Sequence, residues 1–335
     1  MSVIAREIHL KSRPTGLPEH QNFALVERTL PAVAEGQILV RNLFMSVDPY
    51  MRGRMDEADS YIEPFQIGEV LEGTAVGLVV ESANSQFSVG DPVAHFAGWR
   101  DYSLLNADDH INLLSTDLVP IQAFLGALGL PGHAAYYGML HIAQPQAGET
   151  VFVSSAAGAA GSIAAQIAKL KGCRVIGSVG SDAKAKWLKD ELGLDAVINY
   201  NAEPDLEAAL RREAPEGIDV YFDNVGGSHL EAAIAVANDF ARFPLCGMVA
   251  QYNDAVAGPR NIYAVIQKSL LLQGFIGINH MDTWEAFIQD VGTWIAEGQI
   301  KTRETIVDGL ENAPDALIGL FSGDNYGKML VRIGE

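Results

Sequence analysis

Six short apolar runs in the second half of the chain constrain its fold more than any other feature. TVFVS begins at Thr150, CRVIGSV at Cys173, AVINY at Ala196, DVYFDNV at Asp219, ARFPLCG at Ala241 and LLLQGFIG at Leu270. Each of the first four is followed by a helical pattern, and such alternation predicts a parallel sheet with right-handed crossovers. The turn after the first run, SSAAGAAGSIAAQ, is built of tiny side chains. A dinucleotide fingerprint G-x-G-x-x-G would place its first glycine where Ala156 stands, and only Gly158 and Gly161 fill the later positions. Its place between the first strand and first helix of the array strengthens the incomplete motif, since a phosphate can rest on a helix N-terminus. Ile163, Ile167 and Leu170 form one stripe on that helix, and Gly161 permits close packing on the sheet.

In a site for NAD the second strand ends in a carboxylate that holds the ribose 2′-hydroxyl. Here the strand end reads VIGSVGSDAKAKWL, with Ser178 and Gly180 in place of an acid and Lys184 one turn on, able to reach a 2′-phosphate. The physical reading is NADP(H) rather than NAD(H). Spacing alone also allows Lys184 to be a solvated lysine at a helix start, and Asp182 weakens its field. Tyr200, closing the third strand, either flanks the same phosphate or fills the end of the sheet.

The rest of the chain organises around this half. From about residue 20 to residue 105, β-branched and aromatic runs such as GQILVRNLFMSV and GTAVGLVVES are cut by Gly, Asp-Pro and Asn-Ser turns, which predicts a small barrel or sandwich. Near residue 120 the rhythm becomes helical in PIQAFLGALGLPGHAAYYGMLHIA, with Pro131 breaking it. After WEAFIQDVGTWIAEGQI the chain returns to short strands and GKMLVRIGE, so the tail is expected to rejoin the first domain. The expected division is 1–124 with 297–335, and 125–296, in keeping with 335 residues being too many for one core. A net charge of −19 without a basic run argues against nucleic acid. The absence of an apolar leader or an uninterrupted span of about 18 apolar residues argues against export or a membrane. Two cysteines, Cys173 and Cys246, are too few for a disulfide framework and point to the cytoplasm.

The segments NLFMSVDPYMRGRM, GALGLPGHAAYYG, SAAGAAGSIAAQIAKLKGCRVIGSVGSDAK, YFDNVGG, CGMVAQYN and GDNYGKMLV together resemble the zinc-free medium-chain dehydrogenase/reductases, specifically the leukotriene B4 12-hydroxydehydrogenase/prostaglandin reductase group with bacterial curcumin reductases and plant double-bond reductases. The resemblance covers nearly the whole length. It implies an α/β fold, a Rossmann-type six-stranded parallel sheet domain plus a GroES-like β-barrel domain. It also implies that Gly158, Ala159, Ala160 and Gly161 meet a pyrophosphate and that Lys184 and Tyr200 meet the adenosine 2′-phosphate. Asn224, the segment from Cys246 and Gly247 to Tyr252, the backbone of Phe275, Ile276 and Gly277, and Asn325 match further NADP(H) contacts, for which the two domains would line a cleft. Asn224 as a turn cap and Asn325 as a turn residue are the bland alternatives. Ala160 and Ala134 depart from the residues common in relatives and bear on pocket shape.

Zinc alcohol dehydrogenases share the fold that this resemblance implies and use Cys and His ligands. This chain has Ser46 and Val47 where such a ligand would lie, no histidine in QIGEVLEGTAVG, and no ligand spacing among His95, His110, His133, His141, His229 and His280, so no metal is expected. The leading function is NADPH-dependent reduction of the C=C bond of α,β-unsaturated ketones or aldehydes, with hydride going to the β-carbon. The enolate oxygen then needs a donor, and Tyr252 or a ribose hydroxyl is the candidate, with Tyr50 positioning the substrate. Quinone reduction and a non-catalytic, NADPH-binding redox sensor are the alternatives. The loops after Met55 and at 253–262 are expected to rim the pocket, and the apolar edge run LLLQGFIG fits a homodimer.

Overall fold

The computed structural model describes residues 3–253 and 258–334. The chain forms two compact units. One runs through Leu125 and regains Glu304–Asp324 and the segment from Met329 onward; the other comprises Gly126–Arg303 with Asn325–Lys328.

The second unit is built on the six predicted strands, Thr150–Val153, Arg174–Val179, Ala196–Asn199, Ile218–Phe222, Ala237–Leu245 and Leu271–Gly274. All pair in parallel, in the spatial order third, second, first, fourth, fifth, sixth. This order reverses direction between the first and fourth strands, where doubly wound sheets bind ligands outside the carboxyl ends. Val151, Phe152 and Val153 are all buried, as strands covered on both faces require. Helix Ala159–Leu170 buries Ile163 and Ile167 of the expected stripe, but Leu170, its last residue, is 38% exposed. Helices Asp182–Asp190, Leu206–Glu213 and Gly227–Val236 follow the next three strands.

Two local expectations change. The fifth strand starts at Ala237 rather than Ala241, since its first residues pair with the neighbour through an irregular register, with Asn238 half-buried and bonded to Asp219 and Asp239 exposed. Pro131 starts a helix instead of breaking one. It occupies the first turn of Leu130–Tyr137, where no backbone donor is needed, and a separate 3-10 turn, Ile121–Leu125, precedes it.

In the first unit Ile4–Leu10 and Phe23–Thr29 pair antiparallel, and a seven-stranded sheet is organised by the long strand Ile38–Ser46. That strand pairs antiparallel with Ala75–Ser82, with Tyr102–Leu105 and with the late strand Lys328–Arg332, where Val331 faces Met45. Ile8, Leu10, Met45, Met51, Met55 and Trp99 form its core with Leu310 and Leu317 from the returning tail.

Candidate cofactor and substrate site

The glycine turn of the second unit folds as a tight loop between strand and helix. Ser155 adopts φ 48°, Gly158 donates its N–H to the Ser155 carbonyl at 2.9 Å, and Ala156 donates to Ser178 at 3.0 Å. Gly161 sits so close to this loop that an added Cβ would lie 2.3 Å from the Ser155 carbonyl oxygen. Gly158 forms the N-cap of helix Ala159–Leu170 without a side-chain cap, so Ala159, Ala160 and Gly161 present first-turn amides that no capping side chain occupies. From the tail, Gly327 bridges Gly158 and donates to Ala157 O at 2.8 Å, while Asn325 Nδ2 donates to Gly327 O at 2.8 Å. Asn325 is thus a turn residue beside the glycine loop. An uncapped helix start, a bare backbone and a second strand with no terminal acid are the features a phosphorylated dinucleotide requires.

The adjacent corner carries Lys184 and Tyr200. Ser181 caps helix Asp182–Asp190 by accepting from the Lys184 backbone N–H, and Asp182 is engaged by Asn199 Nδ2 at 2.7 Å. The Lys184 ammonium lies 5.6 Å from the centroid of Tyr326, and the Arg303 guanidinium lies 4.3 Å from that same ring. Linear spacing does not reveal that Tyr326 lies beside Lys184 or that Arg303 packs on the same ring. Tyr200 closes the third strand with its hydroxyl over Gly180, and its ring meets His229 edge-on at 5.2 Å.

At the fourth strand end, Asp223 Oδ1 accepts from Tyr221 Oη at 2.6 Å and from the amides of Gly226 and Val225 at 2.8 and 2.9 Å. Asn224 is fixed by its amide to Ser154 Oγ and by Nδ2 to Ser154 O, at 2.9 and 2.7 Å. An added Cβ on Gly247 would be 3.4 Å from the Tyr252 hydroxyl and 3.5 Å from Asn224 O, so Asn224, Gly247 and Tyr252 converge. Burial raises the pKa of the Tyr252 hydroxyl; a backbone hydrogen bond from Met248 opposes this, and Cys246 and Asp223 add to it. Burial, then the Asp223 charge, pushes the Cys246 thiol up to about 12. A cavity of about 480 Å³ opens here, lined by Cys246, Gly247, Met248, Phe275 and Ile276 together with Asn279 and His280. Gly277 follows Ile276 in the chain, and an added Cβ there would lie 3.5 Å from His133 Nδ1. Asn279 and His280 are polar cavity residues that the sequence does not assign to the site, His280 being weighed there only as a metal ligand. His280 is pinned by stacking on Tyr137 at 3.8 Å, a long-range contact with no local sequence signal.

Tyr50 belongs to the first unit, at the start of the short helix Tyr50–Arg54. Its hydroxyl is buried without a hydrogen-bond partner among the described residues, and burial, then the nearby Asp48 charge, holds its pKa well above the ordinary value. The rim expected at 253–262 falls partly on residues 254–257, outside the described residues. Among the described residues no three His, Cys, Asp or Glu side chains gather as a metal site, and no helix is long and apolar enough to cross a membrane.

Residues 6–113 match the family model described as the N-terminal domain of oxidoreductase, and residues 159–293 the one described as zinc-binding dehydrogenase. The NADPH-dependent curcumin reductase of Escherichia coli is 41% identical, over 97% of this chain and 95% of its own length. The NADP(+)-dependent 2-alkenal reductase of Nicotiana tabacum is 39% identical over 98% of each. Among solved structures, CurA of Vibrio vulnificus in complex with NADPH superposes with a TM-score of 0.94 at 42% identity, covering 98% of this chain and 99% of that one.

Proposed function

The chain belongs to the medium-chain dehydrogenase/reductase family, in its zinc-free group of enone reductases, and from that premise we infer the role of each site residue. The protein is an NADPH-dependent oxidoreductase that reduces the C=C bond of α,β-unsaturated ketones and aldehydes. When bound, NADPH supplies the hydride taken up by the β-carbon of the substrate. The Gly158–Gly161 turn holds the pyrophosphate on its amides. Lys184 and Tyr200 hold the 2′-phosphate, and Asn224, Cys246, Gly247, Phe275, Ile276, Gly277 and Asn325 complete the cofactor site.

Tyr252 donates to the oxygen on which negative charge develops. The observation that carries this reading is its position: the hydroxyl converges with Gly247 and Asn224 at the ends of the fourth and fifth strands, beside the cavity. Burial keeps it protonated, which a donor requires. Tyr50 orients the substrate through its buried hydroxyl, which has no hydrogen-bond partner among the described residues. The test is NADPH consumption over enones of graded size, with product analysis separating C=C from C=O reduction. Formation of allylic alcohol, or turnover only with quinones, would refute the assignment.

The protein is also proposed to form a homodimer. The edge strand Leu271–Gly274 and its flanks expose Tyr263, Ile266, Leu271, Ile278 and Met281, an apolar edge that a second copy would cover. Light scattering that gives a monomer mass at micromolar concentration would rule this out. We place the protein in the cytoplasm, where the free thiols of Cys173 and Cys246 stay reduced.

A further inference from the structure

We propose that Gly180 and His229 set the preference for a 2′-phosphorylated cofactor by holding Tyr200 over the end of the second parallel strand. The inference rests on the NADP(H) reading and assigns it a physical device.

Gly180 is the first residue after strand Arg174–Val179. Its φ lies outside the left-handed region, so the backbone itself does not demand glycine. Space does. A Cβ at this position would lie 2.8 Å from the Tyr200 hydroxyl and 3.2 Å from both Tyr200 Cζ and Asn201 Nδ2. The tyrosine segment is tied down on the same side: the Tyr200 N–H donates to Val179 O at 3.0 Å, and Asn201 Nδ2 donates to Gly180 O at 2.8 Å. Any side chain at 180 and the observed Tyr200 position therefore exclude one another.

The ring is held from a different element as well. His229 lies in the first turn of helix Gly227–Val236, which leaves the fourth strand, and meets Tyr200 at 5.2 Å and 83°. It is 5% exposed, and its Nε2 has no hydrogen-bond partner among the described residues. Burial lowers its pKa to about 4, so the ring is neutral near pH 7 and acts through shape rather than as a cation for phosphate. His229 is a positioning residue: it touches Tyr200, and Tyr200 touches the ligand.

The combination explains how this strand end differs from one built for NAD. There a carboxylate occupies the end of the second strand. Here that volume is left empty at 180 and filled from the third strand by an uncharged hydroxyl, which accepts a phosphate neighbour without repulsion. Gly180→Ala isolates the steric part, since it adds no charge.

The experiment is calorimetric titration of the cofactor-free protein with 2′,5′-ADP and with 5′-AMP, alongside thermal melts. The wild type is expected to prefer 2′,5′-ADP. Gly180→Ala and His229→Ala are each expected to weaken 2′,5′-ADP by about two- to tenfold, the range of one aromatic contact, and to leave 5′-AMP unchanged. His229→Phe, which keeps an aromatic edge, should restore the preference. In a Tyr200→Ala background neither substitution should act further, because the coupled partner is gone. Undiminished preference in both folded single variants, equal losses for 5′-AMP, or full additivity with Tyr200→Ala would overturn the inference alone. A wild type that binds both nucleotides equally would overturn the NADP(H) reading and this inference with it. If Gly180→Ala does not fold, the His229 series and its cycle with Tyr200 decide the question.

Discussion

Two neighbouring glycines of the nucleotide turn should fail in different ways when replaced by alanine. At Gly161 the new Cβ would lie 2.3 Å from the Ser155 carbonyl oxygen, 3.0 Å from its carbon and 3.1 Å from Ala156 Cα. Ordinary carbon–oxygen contacts are about 1 Å longer, and every atom struck is backbone, so no rotamer change relieves the overlap. Helix Ala159–Leu170 would have to lift off a sheet against which Ala164, Ala165, Ile167 and Ala168 are fully buried. Such overpacking costs about 1–3 kcal/mol, or roughly 2–12 °C in melting temperature for a unit of this size. At Gly158 the Cβ would lie 3.2 Å from Ser155 O and from Ser155 Oγ, the second of which can rotate away, and the backbone at φ −83° and ψ 177° suits any residue. Gly158→Ala should therefore melt close to the wild type while losing NADPH affinity, because the methyl group covers the amides meant for phosphate. The assay is a melt of the cofactor-free protein followed by NADPH titration; saturation at 100 times the dissociation constant raises stability by about 2.7 kcal/mol, so the cofactor-induced shift reports affinity separately. An unchanged melt for Gly161→Ala, or a larger loss of stability for Gly158→Ala, would refute the steric reasoning.

Lys184→Ala should raise the Michaelis constant for NADPH by about one to two decades, the worth of a charge-assisted contact, and leave that for NADH nearly alone; equal losses would make Lys184 structural. Tyr252→Phe should lower turnover on an enone by up to about 100- to 1,000-fold, less if a ribose hydroxyl shares the donor role, whereas Tyr50→Phe should act mainly on the Michaelis constant for substrate. Stability should fall as the pH drops from about 6.5 toward 4, at about 1.4 kcal/mol per pH unit for each buried histidine that must stay neutral. The sign follows from the folded state. Burial, then Arg100, lowers His95 to about 3, and burial lowers His229 to about 4, so the unfolded chain takes up these protons first and the stability present above pH 6.5 is lost below it. His95 donates and accepts as a neutral ring, between Asn42 Oδ1 at 2.9 Å and the Ala97 amide at 3.1 Å, and His95→Gln should flatten the acid limb seen in melts across that range.

The sequence discloses what periodicity and strand ends encode. Six apolar runs predicted the parallel sheet, and Gly158 and Gly161 marked the turn despite Ala156, because the position of a motif in a strand–helix array carries as much information as its residues. Position along the chain also placed Asn224 and Tyr252 near strand ends, though only the folded chain shows that Gly247 brings them together. Contacts between distant segments stayed hidden. Arg303 reaches the Lys184 corner through Tyr326, His280 is aimed into the cavity by Tyr137, and Gly180 is glycine because of a ring 20 residues away. Pro131 starts a helix instead of breaking one because its local effect depends on whether it falls in the first turn or the interior of a helix, which tertiary packing decides.

The pairing of Val331 with Met45 and Leu330 with Ser46 imposes an order on synthesis. On the ribosome, strand Ile38–Ser46 emerges early; Tyr102–Leu105 soon covers its Ile38–Arg41 stretch, but Phe44–Ser46 wait with that edge bare until Lys328–Arg332 is translated, when residues Gly126–Arg303 already have every strand of their own sheet. The interrupted unit must finish last. An open strand edge is adhesive to other chains, so the interval between its appearance and its closure is when this protein is most exposed to misassembly. Slowing translation within the inserted segment lengthens that interval; a premature stop before Lys328 makes it permanent.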